Sequence, residues 1–157
     1  MRSVLLAALP ILALAACSPA DDPSSSPAQP EPAPMVGGVD LGQPIRALGT
    51  EPFWSVEFTG TEMVYTGVDR PEQRAPQPDP VVQGAAATWE AETATGTPIS
   101  VMLAATECSD GMSDRTYPLS AIVRIGEETL TGCAATVTAI MSTGESGLVV
   151  EKAQPAG

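Results

Sequence analysis

The chain has 157 residues, 19 acidic against 7 basic side chains, no histidine and three cysteines, which leaves room for one domain at most. Its formal charge of -12 argues against nucleic acid as a partner, because such binding depends on clustered Lys and Arg. Without histidine, Ser-His-Asp and Cys-His nucleophile systems are excluded, and no G-x-S-x-G elbow supports a serine nucleophile.

The chain opens on an export leader: Arg2 supplies a positive start, Val4 to Ala16 form an apolar run interrupted by Pro10, and small residues precede Cys17. The run is shorter than the roughly 20 apolar residues a spanning helix needs. Leu14-Ala15-Ala16-Cys17 resembles the lipobox of bacterial lipoproteins. That resemblance implies removal of residues 1–16, acylation of Cys17 and membrane attachment through the N-terminal lipid. Buried acyl chains contribute about 0.8 kcal/mol per methylene, so a triacylated terminus anchors the protein stably. Ser18 at the next position resembles the sorting pattern that sends such lipoproteins to the outer membrane, facing the periplasm. Loss of Arg2 with the leader makes the mature chain one unit more negative.

Residues 17–43 are rich in Ser, Pro, Ala and acidic side chains, and the expectation is a disordered, partly polyproline tether reaching at most roughly 75 Å. From 44 to 152 the pattern is β throughout. Trp54, Val56 and Phe58 alternate with Ser55 and Glu57, and Gly60-Thr61 turns the chain into a second strand ending near Thr66. The prolines at 71, 76, 78 and 80 predict a surface loop over 67–80. Ala85 to Thr93 has alanines that suit a helix, but Thr88, Trp89 and Thr93 favour a strand. Ile99, Val101, Leu103 and Ala105 then alternate into Cys108, and Leu119, Ala121, Val123 and Ile125 do so after it. Gly126-Glu127 predicts a hairpin whose partner strand runs from Thr129 to Val137. A last short strand is expected at Leu148 to Glu151, before a disordered tail at 153–157. The fold class that follows is all-β, a small antiparallel meander closed into a barrel or sandwich.

With Cys17 acylated, Cys108 and Cys133 form an even pair in an oxidising compartment, where a disulfide is the expected state. It is worth roughly 3.5 kcal/mol on a chain-entropy estimate. A metal site on the same pair is the rival, and structural zinc wants four nitrogen or sulfur ligands. No metal and no cofactor is expected.

Three blocks, Gly49-Thr50-Glu51-Pro52-Phe53-Trp54, Cys108 to Asp114 with Tyr117-Pro118, and Leu130-Thr131-Gly132-Cys133-Ala134, resemble a family of uncharacterised bacterial envelope lipoproteins. In that family the first block commonly reads Gly-Asn-Glu-Pro-Phe-Trp, so Thr50 departs from it. The resemblance implies no established reaction.

The cysteine-bounded loop is the candidate binding surface, through Asp110, Met112, Ser113, Asp114, Arg115 and Tyr117. Asp110, Ser113 and Asp114 resemble part of a calcium loop, although the spacing and the terminal bidentate Glu are missing. The alternative is a turn in which the Asp110 carboxylate bonds nearby amides, with Arg115 pairing to Asp110 or Asp114. Ser113 to Tyr117 also resembles the S-G-x-R-Y loop of membrane-bound inhibitors of c-type lysozyme, with Asp114 in place of the glycine; that implies a basic cell-wall hydrolase as partner. The carboxylate pairs Glu51 with Glu57 and Asp110 with Asp114 leave open an enzyme acting on envelope glycans. Phe53 and Trp54 read as core and strand-edge packing. The expected function is a non-enzymatic binding or structural module whose partner is a basic envelope protein or a cell-wall glycan.

Overall fold

Alternating apolar and polar residues become strands wherever the pattern runs for four or more positions, and the turns between them set the order. The structure, a computed structural model, describes residues 32–151. The leader, Cys17, the tether as far as residue 31 and the tail from residue 152 lie outside the described residues.

In chain order the elements are β1 (Met35–Val36), β2 (Val39–Asp40), β3 (Ile45–Thr50), β4 (Phe53–Phe58), β5 (Glu62–Gly67) and β6 (Gln73–Pro76). There follow β7 (Val81–Gln83), β8 (Ala86–Glu92) and β9 (Pro98–Ala104), then β10 (Cys108–Ser109) and β11 (Asp114–Tyr117) within the cysteine-bounded segment. The chain closes with β12 (Leu119–Ile125), β13 (Glu128–Thr136), α1 (Val137–Ser142) and β14 (Ser146–Leu148). Nine strands form one antiparallel sheet in the order β6-β5-β4-β3-β13-β12-β9-β8-β7. This sheet curls into a half-barrel. The amide of Ala94, just past β8, donates to the Arg74 carbonyl of edge strand β6 at 2.9 Å. Phe58 of β4 meets Trp89 of β8 across the interior with ring centroids 4.6 Å apart.

The inner face carries the residues that the period-two pattern selects. Trp54, Val56 and Phe58, Val101 and Leu103, and Leu119 to Ile125 at alternate positions are all buried, each large side chain contributing about 1.5–3 kcal/mol on burial. β13 departs from alternation, because Cys133, Ala134 and Ala135 are each fully buried. A second, smaller cluster of Tyr117, Cys133, Ala135, Ala139, Ile140 and Val149 covers its outer side, and a strand covered on both faces reads as a continuous apolar run.

Four expectations need correction. The domain begins before residue 44: β1 and β2 form a hairpin with Val36, Val39 and Leu41 buried. Its two-residue turn is Gly37-Gly38, both with positive φ (57° and 78°), the turn that matches strand twist. The 67–80 segment is not all loop, since β6 pairs with β5 and buries Ala75; its prolines are tolerated because it is an edge. Val137 starts a helix rather than ending a strand, with the Thr136 hydroxyl accepting from the Ala139 amide at 3.2 Å. The last strand is shifted to Ser146–Leu148 and pairs parallel to β11. The strand reading of 85–93 holds as β8, and the Gly126-Glu127 hairpin joins β12 to β13.

Candidate functional site

The three sequence blocks meet at one end of β3. Its ladder with β13 stops at Leu48 opposite Cys133, and the next residues on each strand are Gly49 and Gly132. Trp54 of β4, 4% exposed, lies over both. A Cβ on Gly49 would collide with the indole Nε1 and come within 2.9 Å of the Thr131 carbonyl. One on Gly132 would collide with the Leu48 carbonyl oxygen and sit 2.9 Å from the indole Cζ2. Both glycines are therefore required by close approach, not by backbone conformation. Among the described residues the indole Nε1 has no hydrogen-bond partner.

On the outer side of this junction the cysteine-bounded loop is held by three devices. The first is the disulfide between Cys108 and Cys133, with Cα atoms 5.5 Å apart, which pins the loop base to β13. The second is the Asp110 carboxylate, which accepts from the Met112 amide (3.0 Å), the Ser113 amide (2.8 Å), the Ser113 hydroxyl (2.8 Å) and the Tyr117 hydroxyl (3.2 Å). The third is the Thr50 hydroxyl, which donates to the Asp110 carbonyl at 2.7 Å and ties the loop to the β3–β4 hairpin. Thr50 thus braces the loop.

Burial acts to raise the Asp110 pKa, but the hydrogen bonds from Ser113, Met112 and Tyr117 outweigh it and hold the carboxyl below its ordinary value. The Tyr117 phenol is raised, by burial first and by the adjoining Asp110 carboxylate. Asp110 is accordingly a turn-forming carboxylate with its oxygens already engaged, as the amide-bonding alternative for it expects, which leaves the calcium-loop reading without its first ligand.

Arg115 does not pair with Asp110 or Asp114. Its Nε and terminal nitrogen donate to the carbonyls of Gly144 (2.6 Å) and Thr143 (3.0 Å), so it staples the end of α1 to β11. Tyr117 is 1% exposed. Arg115 and Tyr117 are therefore built into the fold, and only Met112 and Asp114 of the six loop candidates stand exposed. The Glu51 and Glu57 carboxylates do not come together. Glu51 lies in the β3–β4 turn and Glu57 far along β4, ion-paired with Arg46, roughly 20 Å apart at strand rise. That exceeds the spacing of about 5–9.5 Å at which glycosidase carboxylates work.

Between the loop and the β3–β4 hairpin lies a groove of about 470 Å³, walled by Leu48, Thr50, Glu51, Ser109, Met112 and Thr131. It shares Leu48 to Thr50 with a shallow apolar face of about 490 Å³ that includes Phe53, Thr66 and Val68. Phe53 and Val68 are 54% and 69% exposed, and Met112 is 68% exposed. Phe53 is thus not packed against the strand edge, whereas Trp54 is core as expected. The sequence reading missed Phe53 and the groove position of Glu51; the signal available was their place on a Pro-containing hairpin tip beside a core tryptophan. No protein-family model matches this chain, and neither does any curated protein or solved structure.

Proposed function

We propose that the protein is a bacterial envelope lipoprotein, anchored through acylated Cys17 in the outer membrane and facing the periplasm. Its β domain acts there as a non-enzymatic binding module. We further place it, by its three blocks, with the envelope lipoproteins they resemble. The observation that carries the binding reading is the exposure of Met112 on a groove whose loop wall is fixed by the disulfide and by Asp110, and of Phe53 and Val68 on the apolar face adjoining it. Exposed apolar side chains grouped on a rigid rim mark contact surfaces, and a preorganised loop loses little entropy on binding.

The anchor and the module are tested together. Cys17→Ser should move the protein from the membrane to the soluble fraction, and mass spectrometry should find the acyl groups on Cys17. Pull-downs of envelope proteins and wall glycans should recover a saturable partner that Met112→Asp loses without a change in thermal stability. Turnover of a wall substrate that vanishes with Glu51→Gln would instead make the protein an enzyme.

A further inference from the structure

We infer that the groove and the apolar face beside it take a cationic polypeptide segment, one that presents a lysine or arginine next to an aromatic or aliphatic side chain. The inference rests on the binding-module reading and adds the chemistry of the partner. The β3–β4 hairpin tip places two unlike groups on either side of Thr50. Glu51 lines the groove, while Phe53, opposite Thr50 in register, lines the apolar face. A ligand reaching both must carry a positive or donor-rich group and an apolar group close together.

The charge balance selects the sign. Among the described residues none lining the groove is cationic, and the hydroxyls of Thr50 and Ser109 add acceptors beside the Glu51 carboxylate. Arg46, at the edge of the apolar face, is neutralised by Glu57. Arg115, on the loop, keeps its charge but turns it towards the Gly144 and Thr143 carbonyls and does not line the groove. Glu107 and Asp114, flanking the groove-forming stretch of the loop, are exposed. With a chain charge of -12, a second copy of this chain, an anionic wall polymer or an anionic lipid surface is repelled at this face, whereas a basic segment is attracted.

The test uses the intact acylated protein in nanodiscs of zwitterionic lipid. The probes are the synthetic peptide amide Arg-Phe-Arg-Leu, its counterpart with Glu for Arg, and disaccharide-peptide fragments of the cell wall. Expected is saturable binding of the basic peptide alone, weakened by added salt and at least tenfold weaker in Glu51→Gln and in Phe53→Ser. Glu92→Gln, exposed at the end of β8 and outside the groove lining, should change it less than twofold, and the Met112 methyl resonance should shift on titration. Equal weakening by Glu92→Gln and Glu51→Gln would show diffuse charge attraction and overturn the inference. So would an absence of binding. Preferential binding of the wall fragments, lost with Glu51→Gln, would overturn it while leaving the binding-module reading standing.

Discussion

The inside of the half-barrel and the outer side of β13 are held together by different physics. Inside, Trp89, Tyr65, Phe58 and the aliphatic rows of β9 and β12 pack by area and volume alone. Outside, the cover over β13 rests on one disulfide, one carboxylate with four hydrogen bonds and a stapled arginine, around a cluster of mostly small side chains. The sheet is held by its own buried core, whereas the groove wall is an addition kept in place by specific bonds. Its position should respond to pH, through Asp110, and to reduction of the disulfide in ways the core does not.

The largest effect should come from the core. Trp89→Ala, at a site 1% exposed, should cost about 3–5 kcal/mol and lower the single unfolding transition seen by circular dichroism. Removing the cross-link with Cys108→Ser and Cys133→Ala should cost about 2–4 kcal/mol. In hydrogen exchange the amides of β10 and β11 should lose more protection than those of β9 and β12. Equal loss in both places would erase the distinction between the two regions.

Asp110→Ala should cost about 1–3 kcal/mol, because it leaves the Ser113 and Met112 amides and the Tyr117 hydroxyl without their acceptor. The lowered pKa of Asp110 gives the sign of its pH dependence. Its stabilisation is fully present above the ordinary carboxylate pKa and is lost as pH falls through the lower folded value. Acid titration of the wild type should therefore show a stability loss that Asp110→Asn lacks. The smallest effect belongs to Thr50→Val, about 0.5–1.5 kcal/mol, read as faster exchange of the 110–113 amides with the core unchanged.

The inner face was legible in the sequence because a sheet with one covered face repeats every two residues, as in Ile99, Val101 and Leu103. The Cys108–Cys133 bond was legible from cysteine arithmetic. The β1–β2 hairpin was not, because three separated aliphatics in a Pro- and Gly-rich stretch lack the run that periodicity needs. Its Gly37-Gly38 turn between valines was nevertheless a readable sign. β6 was hidden by prolines that an edge strand tolerates. The carbonyl partners of Arg115 were beyond reach, since they depend on where α1 ends in space. The Pro-containing tip marked Glu51 and Phe53 as exposed, but the groove that Glu51 lines with the cysteine-bounded loop was hidden, because the ladder break at Gly49 and Gly132 exists only once β3 lies beside β13.

The central claim, that the contact surface is the groove between the β3–β4 hairpin and the cysteine-bounded loop, is tested most directly by photo-crosslinking in living cells. A photoreactive amino acid would be placed at Met112, at Phe53 and, on the exposed edge strand β7, at Val81. The same crosslinked partner is expected from positions 112 and 53 and none from 81. A partner captured from position 81 alone would contradict it.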